Sequence, residues 1–126
     1  MPTVFGRLSA ASGINDAGQI VGWFSNAAGT HGFLLSGSKF TTVDVPGAAL
    51  GTQALGISAT GQIVGVFTDA ESISHGFLLS GGTFATVDVP VAMGRNTAAH
   101  GVNVTGQIVG TFVDVNQTVH GFLASP

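Results

Sequence analysis

Cysteine and tyrosine are absent from these 126 residues, tryptophan occurs once, and lysine and arginine together number three. Each scarcity excludes something. Without cysteine there is no disulfide and no thiolate metal site, and either redox compartment suits the chain. The basic side chains are Arg7, Lys39 and Arg95, and the net charge is −3. No basic patch can be built from them, so nucleic acid is not an expected partner. No apolar run approaches the roughly 20 residues of a membrane-spanning helix, and no membrane partner is expected either. Met1-Pro2-Thr3 leads directly into apolar residues, without the basic region and apolar core of a secretion signal, although a leader already removed would leave the same beginning. Charged residues make up 7% of the chain, against a usual share of about a quarter. So few charges do little to keep exposed sheet edges apart, and this surface is expected to meet other protein.

What the chain has in abundance is glycine, 20 residues of it, and the glycines are periodic. The stretch Gly56-Ile57-Ser58-Ala59-Thr60-Gly61-Gln62-Ile63-Val64-Gly65, followed by His75-Gly76-Phe77-Leu78, occurs three times. Its copies begin at Gly13, Gly56 and Gly101, 43 and 45 residues apart, and their His-Gly-Phe triplets lie at 31, 75 and 120. A repeat of this length dictates architecture. Each copy reads as four strands: a short small-residue strand A, a turn closed by glycine, an apolar strand B, a variable polar loop, strand C from the histidine, and a strand D. Glycine at 18, 61 and 106 supplies the positive φ that a tight turn requires. Pro46 and Pro90 stop the D strands. A single domain over 1–126 is expected, with a front strand in 1–8 and repeats at about 11–46, 54–90 and 99–126. The front strand, Thr3-Val4-Phe5, stands where a D strand would, ahead of the first A strand.

Three four-stranded repeats fit two all-β architectures, a β-propeller with one repeat per blade or a monomeric β-trefoil. The burial pattern favours the propeller. In strand B, Ile63, Gly65 and Phe67 alternate with Val64 and Val66, so both faces are apolar and both call for cover. Propellers have about 4–8 blades, so three blades call for more. A homodimer completing one six-bladed ring is therefore expected, with the trefoil monomer as the alternative.

The pattern Gly-Ile-Asn-x-x-Gly-Gln-Ile-Val-Gly, a spacer and His-Gly-Phe-Leu resembles the bacterial extracellular HAF repeats. Their consensus runs close to Ala-Ile-Asn-x-x-Gly-x-Val-Val-Gly and then His-Ala-Phe. The resemblance covers nearly the whole chain on short, glycine-led motifs. His-Gly-Phe replaces His-Ala-Phe, and Val-Asp-Val-Pro replaces a Leu-Gly-rich segment. It implies a secreted or cell-surface origin and a propeller-like array, brings no chemistry with it, and fits a piece cut or engineered from a longer array.

For catalysis the sequence offers little: no Gly-x-Ser-x-Gly elbow, no phosphate loop and no His-Glu-x-x-His. His31, His75 and His120 invite a shared metal, but equivalent positions of successive blades are too far apart to converge on one ion, so no metal or other cofactor is expected. Each imidazole is better read as bonding a loop carbonyl and fixing the B–C turn, with ligand contact as the second reading. Asn15, Ser58 and Asn103, with Gln19, Gln62 and Gln107, read as caps of the A–B turn. Asp44 and Asp88 read as solvated edge charges, and Asp69 with Glu71 as an acidic pair in a mobile loop. The binding candidates are the polar residues of the B–C and D–A loops, set on one rim of a rigid frame. They include Asn26, Asp69 and Asn116 in the B–C loops, and Gly51, Thr52, Gln53, Arg95, Asn96, Thr97 and His100 in the D–A loops. Trp23 either packs between blades or offers a flat face to a sugar. The expected function is a non-enzymatic binding module, lectin-like towards glycans. A purely structural self-assembling repeat is the rival.

Overall fold

The computed structural model describes residues 8–90 and 94–125, and these form eleven strands and no helix. No helix is therefore long and apolar enough to cross a membrane among the described residues. The front strand expected over Thr3-Val4-Phe5 lies outside them.

Three antiparallel sheets follow one another along the chain. The first holds β1 (Leu8–Ile14), β2 (Ile20–Asn26), β3 (Gly29–Ser36) and β4 (Lys39–Val43), paired in chain order. The second repeats this with β5 (Gly51–Ile57), β6 (Ile63–Thr68), β7 (Ser74–Ser80) and β8 (Thr83–Val87). The third contains β9 (Arg95–Val102), β10 (Ile108–Val113) and β11 (Val119–Ala124), with β10 in the middle. Strands A to D of the repeat are thus β1 to β4 and β5 to β8, and the third sheet holds A to C.

The local chemistry is the same in each copy. Gly18, Gly61 and Gly106 take φ of 78°, 88° and 85° in the A–B turn, as the sequence requires. Strand A carries a register shift between Ala11 and Gly13, matched between Ala54 and Gly56. A Cβ on Gly22, Gly65 or Gly110 would lie 2.0 Å from the carbonyl oxygen of Ala10, Gln53 or Ala98 and 2.8 Å from a phenylalanine ring of strand C. No side chain fits between that carbonyl and that ring.

The A strands begin earlier than the sequence suggests. Gly51, Thr52 and Gln53, and likewise Arg95, Asn96, Thr97 and His100, are strand residues and not loop residues. Gly51 pairs with Thr68 and Arg95 with Val113, because strand B is long enough to extend the ladder to the rim. Thr52 and Thr97 are buried there, and the Thr52 hydroxyl accepts the Val45 N–H at 3.2 Å.

Successive sheets stack face to face. The forward face of the first sheet, with Val21, Leu34 and Val43, packs on the rear face of the second, with Ala54, Ile63, Phe67 and Phe77. The forward face of the second, with Val64, Leu78 and Val87, packs on the rear face of the third, with Ala99, Ile108 and Phe122. Val64 and Ile63, neighbours on opposite faces of β6, are 0% and 2% exposed, so the middle sheet is covered on both sides. The A strands also stack, glycine on glycine. A Cβ on Gly13 would lie 3.3 Å from the Gly56 Cα, and one on Gly56 would lie 3.3 Å from the Gly101 Cα.

Candidate functional site

The B–C loops are built on their own first residue. Asp69 Oδ1 accepts the N–H groups of Glu71 and Ile73 at 2.9 and 3.0 Å, and Asp114 Oδ1 accepts those of Asn116 and Thr118 at 2.8 and 3.0 Å. In the first repeat Asn26 Oδ1 accepts the Ala28 N–H at 2.9 Å. An Asx turn of this kind fixes a short loop without apolar contacts. Asp69 is therefore the scaffold of its loop, and the expected pairing with Glu71 is a backbone bond.

The histidines attach to this scaffold from strand C. His75 Nε2 lies 2.8 Å from Asp69 Oδ2, His120 Nε2 lies 2.6 Å from Asp114 Oδ2, and His31 Nε2 lies 3.2 Å from Asn26 Oδ1. The other ring nitrogen reaches the end of strand D. His31 Nδ1 lies 2.9 Å from Asp44 Oδ1, and His75 Nδ1 lies 2.8 Å from Asp88 Oδ2. Each ring also lies over a strand B phenylalanine, Phe24, Phe67 or Phe112, with centroids 5.1 to 5.3 Å apart. The imidazoles do fix the loops, but through carboxylates and an amide oxygen and not through loop carbonyls. Asp44 and Asp88 are correspondingly not free edge charges. The signal was in the spacing: each lies 13 residues after its histidine, and Asp69 and Asp114 lie 6 before theirs.

The second repeat carries the strongest electrostatics, since His75 sits between two carboxylates. Partial burial, the largest single influence, works against its charge, but the hydrogen bonds to Asp69 and Asp88 together outweigh it and raise its pKa. Both nitrogens face acceptors, and only the imidazolium donates from both. The His75 hydrogen bond holds Asp69 below the ordinary carboxylate range, aided by the loop N–H groups, and His120 does the same for Asp114.

Shallow grooves open beside these clamps on the rim. One of about 390 Å³ lies between the first two sheets and is lined by Asn26, His31, Asp44 and Leu50 among others. Its counterpart between the second and third, about 210 Å³, is lined by His75, Asp88, Arg95, Asn96 and Thr97. A third, about 340 Å³, continues past Arg95 to Asp114 and Gln117. Arg95, exposed at the start of β9, thus borders two grooves, and the Asn96 side chain accepts the Ser74 N–H at 3.0 Å across them.

The remaining candidates fall elsewhere. His100 bonds Thr111 Oγ1 at 3.2 Å on the ladder, five residues along β9 from Arg95, and lines none of these grooves. Trp23 is half-buried on the same face of β2 as Val21. Asn116 is exposed at a loop tip. Among the described residues, no group of three or more His, Cys, Asp or Glu side chains is placed to hold a metal ion. Comparison with protein-family models, curated proteins and solved structures gave no match for this chain.

Proposed function

We propose that the chain is a non-enzymatic repeat scaffold: three consecutive blades of a β-propeller that a second copy completes to six, with weak polar-ligand sites, for glycans above all, in the grooves of one rim. Two features support blades over a trefoil. Each sheet keeps its ladder to itself, and the sheets meet through apolar faces. The observation carrying the binding reading is recurrence: the same groove, with a carboxylate-bonded histidine in its wall, stands at both junctions between sheets. Such grooves offer carboxylate and amide groups on a preorganised frame, the chemistry that recognises sugar hydroxyls, and repetition around a ring multiplies weak affinity. The resemblance to HAF repeats, with its cell-surface implication, points the same way.

The rival reading, a self-assembling scaffold without a ligand, has its own observation. The nitrogens of His31 and His75 are already engaged by the chain's own side chains. Glycan-array binding, followed by amide chemical-shift titration of any hit, separates the two. Shifts confined to Asn26–His31 and Ile73–Thr97 are expected, and no binding across diverse sugars leaves the scaffold alone.

A further inference from the structure

All three C strands have strand B as their inner partner, but among the described residues only two have an outer one. β3 pairs with β4 and β7 with β8 in one register, Gly32↔Val43 to Ser36↔Lys39 and Gly76↔Val87 to Ser80↔Thr83. β11 carries the same His-Gly-Phe-Leu and, among the described residues, ends its sheet. Three openings line up along that edge. A Cβ on Gly32 or Gly76 would lie 2.7 or 2.6 Å from the carbonyl oxygen of Val43 or Val87, whereas one on Gly121 meets nothing nearer than Gly110 O at 3.8 Å. Phe33 and Phe77, both fully buried, lie against the strand D rings Phe40 and Phe84, with centroids 5.3 and 5.8 Å apart. Phe122 is only half-buried, and no strand D ring lies against it among the described residues. His31 and His75 reach Asp44 and Asp88 through Nδ1 at 2.9 and 2.8 Å. His120 bonds Asp114 through Nε2, and among the described residues its Nδ1 has no partner. Its side chain is 46% exposed, twice the 23% and 24% of the other two.

We infer that the outer edge of β11 is a binding site for an extended segment of the form Phe-x-Thr-Val-Asp, which another chain supplies as a fourth antiparallel strand. That pattern is common to both D strands, Phe40-Thr41-Thr42-Val43-Asp44 and Phe84-Ala85-Thr86-Val87-Asp88. In their register the incoming valine pairs with Gly121 and the incoming phenylalanine with Ala124. The valine carbonyl then fills the space beside Gly121, the ring covers Phe122, and the aspartate meets His120 Nδ1 with complementary charge. A strand edge is a template for another strand. Main-chain bonds supply the affinity of such an addition, and pockets for alternate side chains supply its selectivity. Here consecutive residues of β11 ask for a carboxylate, a close-approaching carbonyl and an aromatic ring, and only one spacing answers all three. The front segment Met1-Pro2-Thr3-Val4-Phe5 matches that spacing in Thr-Val alone and brings neither the aspartate nor the leading phenylalanine. Neither a second-copy ring nor a rim ligand is needed for this site to act.

The test is fluorescence anisotropy of a labelled peptide, Gly-Thr-Phe-Ala-Thr-Val-Asp-Val-Pro, the sequence of residues 82–90, titrated with the full chain and with Gly121→Ala. Amide chemical shifts of the protein locate the contact, and circular dichroism checks folding. The added methyl of Gly121→Ala has room within its own chain but stands where the incoming carbonyl must lie. Saturable binding to the wild type is expected, with shifts concentrated in Val119–Ala124, and no binding to folded Gly121→Ala. Alanine for the peptide's phenylalanine is expected to weaken binding by at least about tenfold. Asparagine for its aspartate is expected to weaken it by about two- to fivefold, the range of an exposed ion pair. A wild type that does not bind the peptide overturns the inference, as does a scrambled peptide that binds equally well. Binding that Gly121→Ala leaves intact, or shifts centred on β3 or β7, overturns the edge assigned here. Should Gly121→Ala misfold, the two altered peptides decide alone, and equal affinity for all three peptides overturns the pattern.

Discussion

At the scale of single residues, the middle repeat differs from its neighbours in one informative way. Asn15 and Asn103 each donate from Nδ2 to the paired glutamine Oε1 at 2.8 Å, while Oδ1 accepts that glutamine's N–H at 3.0 Å. Ser58 keeps the second bond, accepting the Gln62 N–H at 3.1 Å, but has no amide to give. Gln62 Oε1 is consequently buried without a hydrogen-bond partner. Such an orphan costs about 1–3 kcal/mol. Ser58→Asn is expected to raise unfolding stability in urea by about 1 kcal/mol by restoring the missing donor. A loss of stability would mean that the space around Ser58 does not admit the amide.

The histidine clamps make a second prediction at the same scale. His75 has a raised folded-state pKa, so its contribution to stability is complete below the unfolded value of 6.5 and is lost as pH rises through the folded value. Asp69 and Asp114 have lowered values, so theirs is present above the unfolded 3.8 and is lost as pH falls through the folded ones. The clamps therefore support the fold most in mildly acidic solution, between those limits. The urea midpoint is expected to be higher near about pH 5.5 than near about pH 8. In His75→Gln the difference should shrink, and the imidazole resonances of His75 should titrate above 6.5 in the wild type. A midpoint that rises towards pH 8 equally in both proteins would contradict the assignment.

At the scale of elements, the repeat was legible because it is written in glycine and aromatic residues whose spacing has one meaning. The turn glycines at 18, 61 and 106, strand B and the His-Gly-Phe strand could be placed from residues alone. The rim ends of β5 and β9 could not. Gly51-Thr52-Gln53 and Arg95-Asn96-Thr97 have the composition of loops, and pairing with strand B makes them strands. The buried Thr52 illustrates why, since its hydroxyl replaces a ladder partner for Val45 that no pattern of hydrophobicity reveals. The clamp was hidden differently. His31 and Asp44, or His75 and Asp88, are separated by a whole hairpin, so only the constant interval of 13 residues joins them in sequence. Of the candidate site, the histidines and the loop residues, Asp69 among them, were visible, while the strand D partners Asp44 and Asp88 were read as solvent-facing charges.

At the scale of the molecule, the three sheets are chemically alike but unequally covered, and that inequality governs where a single copy opens. In a stack of repeats, each unit contributes its own stability plus that of its junctions with neighbours. The middle sheet has two junctions, and Val64, Ile63 and Phe77 are all within 2% of complete burial. The third has one, and β11 is an edge strand among the described residues, with Val119 and Leu123 both 63% exposed. Local opening should therefore begin at β11 and reach β6 last. In a single copy, amide hydrogen exchange is expected to be fastest in Val119–Ala124 and slowest in Ile63–Thr68. Equal protection across all three sheets would show that they unfold as one unit, and the junctions would then be too strong for the stack to fray from its open end.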